Sequence, residues 1–269
     1  MFSLFDLIQR YIHVLLFLFL ELVAFYLIVN YNQQQKDIFL YSSSLVSGYF
    51  LERSTKLSGF MTLEKENEEL LQENARLLRE IINTSSQAQT PLIKDQSSQE
   101  YDVVPANIIN QTIHSTRNHF TINKGAVHGL SKSMGVITSD GVIGVLKQVS
   151  ENFSTALSLL NVDTRVSATL KDKGYFGTLR WHGQDYQHLM LTGIPKHAEV
   201  QVGDMVVTNG YSTMFPKNIP IGTVNNFKLS RDGISYEIEV DIINDMTRLD
   251  YVFVIKNNFA TERLFLENE

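Results

Sequence analysis

One apolar run near the start of the chain limits its fold more than any other sequence feature. The run spans Ile12–Val29 and is followed by a segment with a heptad repeat and then by β-type sequence. Its length is close to the minimum that crosses a bilayer core, which predicts one transmembrane helix over residues 11–30. The order of segments therefore predicts a membrane anchor, a helical stalk and a folded head.

An acidic residue, Glu21, lies in the middle of this run. It costs about 3 kcal/mol on insertion, whereas the Leu, Ile, Phe and Val residues of the run together contribute roughly 4–8 kcal/mol. Insertion is therefore expected, and no small-residue cleavage site follows, which predicts an uncleaved signal-anchor. Arg10 favours a cytoplasmic location for residues 1–10. For Glu21 two interpretations stay open: an intramembrane contact with a partner, or a carboxyl that the bilayer tolerates.

A heptad repeat predicts that the stalk is a coiled coil. The repeat places Phe60, Asn67, Asn74 and Ile81 at position a and Leu63, Leu70 and Leu77 at position d. Asn at position a pairs best with one partner Asn, which favours a parallel two-stranded coil and hence a homodimer. The alternative is an amphipathic helix that lies on its own head. We expect residues 31–83 to form the stalk and the polar residues 84–100 to form a flexible linker.

From Tyr101 onward, short apolar alternations separated by turn signals predict a mainly β head, either a sandwich or a barrel. Asp140-Gly141 and Asp232-Gly233 are hairpin signals. The predicted strands are Val103–Ile109, His119–Asn123, Val142–Val149, Thr155–Leu160, Arg165–Leu170, Gly177–Trp181, His188–Thr192, Met205–Thr208, Gly222–Leu229, Tyr236–Ile242 and Tyr251–Ile255.

Composition and motifs exclude several classes of function. The chain has no Cys, which excludes disulfides, Cys-ligated zinc and a catalytic thiol, and its net charge of -6 argues against nucleic acid as a partner. The seven His residues form no known ligand motif, and no serine-nucleophile or phosphate-binding motif is present. We therefore predict no enzyme activity, no metal and no cofactor, and a membrane-tethered serine protease is disfavoured.

Three segments of the head resemble the MreC family of bacterial rod shape-determining proteins. They are Gly125–Ala168 with VHGLSKSMGVITSDGVIG, Val200–Val224 with VGDMVVTNGYSTMFPKNIPIG, and Ile238–Ile255 with DIINDMTRLDYVFVI. Each motif alone is weak, but their order and spacing are specific, and the resemblance covers about residues 101–255. The chain departs from the family pattern at Asn209, Asn218 and Tyr251. Asn218 replaces a turn Gly, which is compatible with a positive φ because Asn tolerates that region.

The resemblance implies two small β-barrel-like subdomains, which we expect at residues 101–167 and 168–256, with residues 257–269 as a tail. It also implies a non-enzymatic scaffold that organises peptidoglycan synthases in cell-wall elongation. Such a protein is held in the bacterial inner (cytoplasmic) membrane with its head in the periplasm. The implied partners are a class B penicillin-binding protein, RodA, MreD and MreB, and relatives form dimers and some form filaments.

Another class of protein that combines one anchor, helical segments and β-barrels is the periplasmic adaptor of an export system. It requires two antiparallel coil arms between split β halves, whereas this chain has one arm that precedes all of its β sequence.

Candidate partner contacts lie in two apolar loops of the head. Tyr211, Met214 and Phe215 can form an exposed apolar patch. The only Trp, Trp181, is a candidate interface anchor. The alternatives are that the loop around Phe215 caps a barrel and that Trp181 fills a core. Strand Tyr236–Ile242 is a further candidate if it lies at a sheet edge.

Overall fold

The computed structural model describes residues 4–31, 63–85 and 99–267. The chain divides into two compact units, Met1–Glu68 and Glu69–Glu269. Most of the predicted stalk, including Phe60, and most of the predicted linker lie outside the described residues.

The first helix, α1, spans Leu4–Tyr31 and contains the predicted anchor, and the side chains of residues 11–27 are exposed. Within the described residues, no helix satisfies both the length and the apolar composition that a membrane crossing requires. The anchor and the intramembrane contact of Glu21 stay predictions.

The head consists of twelve β-strands between two helices. Helix α2 covers residues 63–85 and precedes the strands, and α3 (Ala260–Glu267) follows them. All eleven predicted strands are present, and a twelfth forms at the first arm of the Asp140-Gly141 hairpin. The strands are β1 Tyr101–Gln111, β2 Arg117–Ile122, β3 Gly135–Ile137, β4 Val142–Val149, β5 Ser154–Asn161, β6 Val166–Leu170, β7 Phe176–Arg180, β8 His188–Pro195, β9 Met205–Asn209, β10 Lys217–Leu229, β11 Ser235–Ile242 and β12 Tyr251–Asn257.

The strands form two closed antiparallel barrels of six strands each. The first barrel has the order β1-β12-β3-β4-β5-β2 and the second the order β10-β11-β8-β7-β6-β9. Alternating apolar side chains fill each barrel, as in β8, where Leu189 and Leu191 are buried between exposed or half-buried neighbours. Both predicted hairpins are confirmed, since β3 pairs with β4 and β10 with β11. Asn218 has a φ of 69°, which agrees with the turn Gly that it replaces in the family pattern.

The subdomain boundaries that we expected from the sequence are wrong at both ends of the second subdomain. Strand β12 returns to the first barrel, where it pairs with β1 and β3, so residues 251–257 do not belong to the second barrel. Strand β6, which starts at Val166, already belongs to the second barrel. The chain therefore passes twice between the barrels, and the predicted tail contains α3.

Both barrels are closed, so β11 is not an edge strand. It pairs with β10 on one side and with β8 on the other. Its backbone donors and acceptors are used within the barrel, and the prediction that Tyr236–Ile242 adds to the sheet of another molecule is wrong.

Candidate functional site

Helix α2 carries two apolar stripes, and only one of them contacts the head. Leu71, Ala75, Leu78 and Ile82 follow one another at helical spacing; Ala75 and Ile82 are buried, and the two leucines pack against the core at its edge. These positions are b and e of the heptad, not a and d. The alternative interpretation of the stalk, a helix that lies on its own head, is therefore realised by a stripe that the heptad assignment did not use.

Asn83 fixes the end of α2 to the start of β1. Its side-chain nitrogen donates to the carbonyl oxygens of Arg79 (2.8 Å) and Tyr101 (2.9 Å), and its side-chain oxygen accepts from the Tyr101 backbone N–H (3.0 Å). An ion pair between Arg79 Nε and Asp102 Oδ1 (3.2 Å) lies beside it. Burial raises the pKa of the Tyr101 hydroxyl well above its ordinary value, with a further contribution from the Glu100 carboxylate. The attachment of α2 to the barrel thus lies at Asn83, one residue before the start of the predicted linker.

The second stripe of α2 is the predicted coiled-coil seam, and it is exposed. Leu63, Leu70 and Ile81 are each more than 60% exposed and Leu77 is 43% exposed. Asn67 and Asn74 lie between them on exposed positions. An apolar stripe that water contacts in one copy of the chain fits a partner helix, and pairing of this seam with a second copy stays a prediction.

Two of the acidic residues beside the seam form ion pairs with one arginine. Arg76 lies 2.5 Å from Glu73 and 2.8 Å from Glu80, the two glutamates at successive g positions. The guanidinium lowers the pKa of Glu73 through a hydrogen bond. All three side chains are about half exposed, so solvent screens both pairs and their contribution to stability is small. Their effect is to reduce the negative charge along the seam.

A second candidate surface lies on the second barrel, where Tyr211 is 67% exposed and Phe176 54%. Their rings pack edge to face with centroids 5.3 Å apart. Arg263 of α3 donates to the Tyr211 carbonyl oxygen at 3.3 Å, and Lys217 lines the same cleft of about 380 Å³. Phe176 was missed from the sequence because it lies 35 residues from Tyr211 and only the pairing of β6 with both β7 and β9 brings them together.

Three of the predicted contact residues do not form an exposed patch. Phe215 and Trp181 are buried, at 2% and 3% exposure, and Met214 is half-buried. Trp181 donates its indole N–H to the Asp185 carbonyl oxygen inside the loop between β7 and β8. Phe215 lies against Gly135 of the first barrel, whose backbone N–H donates to the Met214 carbonyl oxygen at 3.2 Å. Trp181 therefore fills a core, which was its alternative, and the loop around Phe215 covers part of the first barrel.

One His–carboxylate arrangement is present that no sequence motif signalled. The ring nitrogens of His188 lie 2.5 Å from Asp185 Oδ2 and 2.8 Å from Asp241 Oδ1. Because each nitrogen faces a carboxylate, neither is available to activate a nucleophile. Across the described ranges, no group of three or more His, Asp or Glu side chains is placed to hold a metal ion.

Comparison with known proteins gives one consistent family. The family model described as rod shape-determining protein MreC, barrel core, matches residues 108–256, more than half of the chain. The cell shape-determining protein MreC of Bacillus subtilis is 29% identical over 77% of this chain and 71% of its own length. The protein of the same name from Listeria monocytogenes is 27% identical over 80% of this chain and 75% of its own.

Solved structures of similar fold carry the same family name. The chain superposes on MreC from Listeria monocytogenes with a TM-score of 0.57 at 26% identity, over 77% of this chain and 94% of that one. It superposes on the major periplasmic domain of a cell shape-determining filament MreC with a TM-score of 0.53, over 60% of this chain and 99% of that one. At 23% identity the second comparison concerns the fold alone. The two-barrel architecture is thus shared with MreC structures.

Proposed function

The chain belongs to the MreC family of rod shape-determining proteins, and on that premise we propose that it is a non-enzymatic, membrane-anchored scaffold that organises peptidoglycan synthases during cell-wall elongation. Its relatives are cell shape-determining proteins, which supports a role in the formation and maintenance of cell shape. The proposed location is the bacterial inner membrane, with a single-pass anchor, a cytoplasmic N-terminus and a periplasmic head.

The observation that carries the scaffold proposal is that the two apolar stripes of α2 have different surroundings. One stripe of the helix is used by its own head, and Asn83 attaches the helix end to β1. The other stripe, with Leu70 and Leu77, is left exposed. A helix attached in this way can join two copies of the chain without using any surface of the barrels. The proposed homodimer therefore presents two heads to other proteins, and filaments are a further form of self-association.

The proposed partners are a class B penicillin-binding protein, RodA, MreD and MreB. For the penicillin-binding protein we propose the Tyr211–Phe176 surface as the contact, because exposed aromatic residues beside cationic ones are typical of interface anchors. Tyr211 is retained from the sequence prediction, and Phe176 takes the place of the buried Phe215 and Trp181. Glu21 is proposed to meet a polar group of a membrane partner or of the second copy.

The test is binding of the full-length protein, purified in detergent, to the penicillin-binding protein of the host's elongation machinery. Saturable binding that the double substitution Tyr211→Ala with Phe176→Ala weakens at least tenfold would support both the scaffold role and the contact. Ile234→Ala is the matched control, because Ile234 is equally exposed on the same barrel but is not part of the surface. Binding that the double substitution leaves unchanged would refute this contact.

A cell-based test addresses the scaffold role separately. A host strain that lacks its own copy of the protein should regain its shape with the full-length chain and not with a chain from which residues 1–30 are deleted. Restoration of shape by the deleted form would contradict the proposal that the anchor is needed. For Glu21, replacement by Leu should reduce co-purification with MreD or RodA, and unchanged co-purification with unchanged cell shape would refute the intramembrane contact.

A further inference from the structure

His188 lies between two carboxylates, one at each nitrogen of its ring. Its Nδ1 lies 2.5 Å from Asp185 Oδ2, in the loop between β7 and β8, and its Nε2 lies 2.8 Å from Asp241 Oδ1 on β11. Only the imidazolium donates to both carboxylates, because a neutral imidazole has one N–H and one lone pair. Asn225 Nδ2 lies 3.0 Å from His188 Nε2, so in a neutral ring that keeps its proton on Nδ1 the Nε2 lone pair accepts from Asn225 and no longer donates to Asp241. The link between the two carboxylates is therefore complete only when the ring carries its second proton.

The charges around the ring all favour that proton. Asp185 faces the ring from its loop, and Asp241 and Glu239 face it from β11. The hydrogen bond that the ring donates to Asp185 is the largest cause that raises the pKa of His188. From β10, the neutral side chain of Asn225 donates to Asp241 Oδ1 at 3.0 Å. The His188 side chain is 24% exposed, so protons exchange with solvent directly.

Asp185 also organises the loop to which it belongs. Its other carboxylate oxygen accepts from the Gln187 backbone N–H at 2.8 Å, and its carbonyl oxygen accepts from the indole of Trp181. The Gln187 carbonyl oxygen in turn accepts from the Ile242 backbone N–H at 2.9 Å. The conformation of residues 181–187 thus depends on where the Asp185 side chain is held.

The same loop contacts the first barrel. The ring of Tyr186 lies 6.1 Å from the ring of Trp181 and 6.1 Å from that of His114, which belongs to the connection between β1 and β2. A Cβ on Gly183 would lie 3.4 Å from Val162 and 3.7 Å from Thr116, both residues of the first barrel and its exit. Residues 181–187 are therefore part of the junction between the two barrels.

We propose that His188 is a proton-dependent clamp of the inter-barrel junction. When protonated, it ties Asp185 to Asp241 and holds the 181–187 loop against the first barrel. When it loses the proton, the ring keeps a hydrogen bond to only one of the two carboxylates, and that bond is no longer donated by a cation, so the loop is held less tightly. The relative freedom of the two barrels then increases as pH rises through the titration of this one side chain. The inference does not depend on the scaffold role proposed above.

The chain provides its own reporter for this clamp, because Trp181 is the only Trp and it is hydrogen-bonded to Asp185. We expect the emission maximum of the full-length protein to move to longer wavelength as the pH rises from about 5 to about 9, with one midpoint above the ordinary histidine value of about 6.5. His188→Gln should lack this transition. Asp241→Asn should keep it and move its midpoint to lower pH, because one of the charges that favour the proton is removed.

His114 is the matched control, since it is a second titratable ring in contact with Tyr186. His114→Gln should leave the midpoint where it is in the unchanged protein. A transition that persists in His188→Gln, or emission that does not change with pH in the unchanged protein, would overturn the proposal. Far-ultraviolet circular dichroism at low pH checks that each variant is folded. If His188→Gln does not fold, Asp241→Asn still tests the clamp, because a midpoint that this substitution does not move would refute it.

Discussion

The ring of Phe215, from the second barrel, lies directly against the backbone of Gly135, in the first. A Cβ placed on Gly135 would lie 2.3 Å from Phe215 Cε1 and 2.5 Å from the Met214 carbonyl oxygen. The turn of the same hairpin shows the same closeness, since a Cβ on Gly141 would lie 2.3 Å from the Pro220 carbonyl oxygen. The segment from Met214 to Pro220 therefore docks on the β3–β4 hairpin, and glycines make room for it.

Gly135→Ala tests this docking. The added methyl group has no space, so the hairpin and the 214–220 segment must separate, and we expect a loss of about 1–3 kcal/mol in the free energy of unfolding. Denaturant unfolding of the full-length protein measures the loss. Phe215→Leu should lower the free energy of unfolding less when Gly135→Ala is already present than when it is made alone, because the two changes remove the same contact. Additive costs would contradict direct packing of the two residues.

Asn83→Ala tests the attachment of α2 to the first barrel. The substitution leaves the backbone N–H and carbonyl of Tyr101 without their side-chain partner in a buried site. We expect a loss of about 1–3 kcal/mol in stability and faster amide exchange over residues 69–85. Thr84→Ala is the control, because Thr84 is exposed on the same turn. Equal amide exchange in the two variants would argue against the attachment.

Leu70→Glu together with Leu77→Glu tests the predicted coiled coil. Both side chains are exposed in a single copy, so the head should keep its thermal stability. Four added negative charges in the seam of a dimer should separate the two copies, and light scattering in detergent should report the mass of a monomer. Gln72→Glu, which adds charge to α2 at heptad position f, should leave the mass unchanged. A dimer that survives the double substitution would refute the seam.

The His188–Asp185 pair predicts a specific pH dependence of stability. The pKa of His188 is raised, so its contribution is fully present below about pH 6.5 and is lost as the pH rises through the higher folded-state value. The pKa of Asp185 is lowered, chiefly by the Gln187 backbone N–H, so its contribution is present above about pH 3.9 and is lost as the pH falls through the lower folded-state value.

The thermal midpoint is the measurement that checks this dependence. Between about pH 6 and about pH 8.5 the midpoint of the unchanged protein should fall more than that of His188→Gln, because only the former loses the clamp. Other groups titrate in both proteins, and the difference between the two curves isolates His188. Parallel curves would contradict the prediction.

The sequence alone determined the features that depend on neighbours along the chain. The positions of eleven strands and the two Asp-Gly hairpins follow from period-two alternation and from turn chemistry. The family pattern, in which Asn218 replaces a turn Gly, accounts for its positive φ. The heptad of α2 predicted a helix with an apolar seam, and the seam is exposed as a partner surface requires. The family resemblance supplied the two barrels, which no local pattern contains.

Only the tertiary structure decided which distant residues meet. The apolar residues of Tyr251–Ile255 predict a strand but not the barrel that it closes, because any five-stranded sheet with an open edge can accept it. In the same way, the sequence indicates only that Leu71 and Leu78 are extra apolar residues of a coiled-coil helix. The structure shows that they pack against the core of the head. Trp181 and Phe215 are apolar in either setting, and their burial depends on the loops and glycines of the opposing barrel. Local propensity determines which segments form strands and helices. Long-range packing determines which surfaces remain available for function, because each surface is covered by residues far away in the sequence.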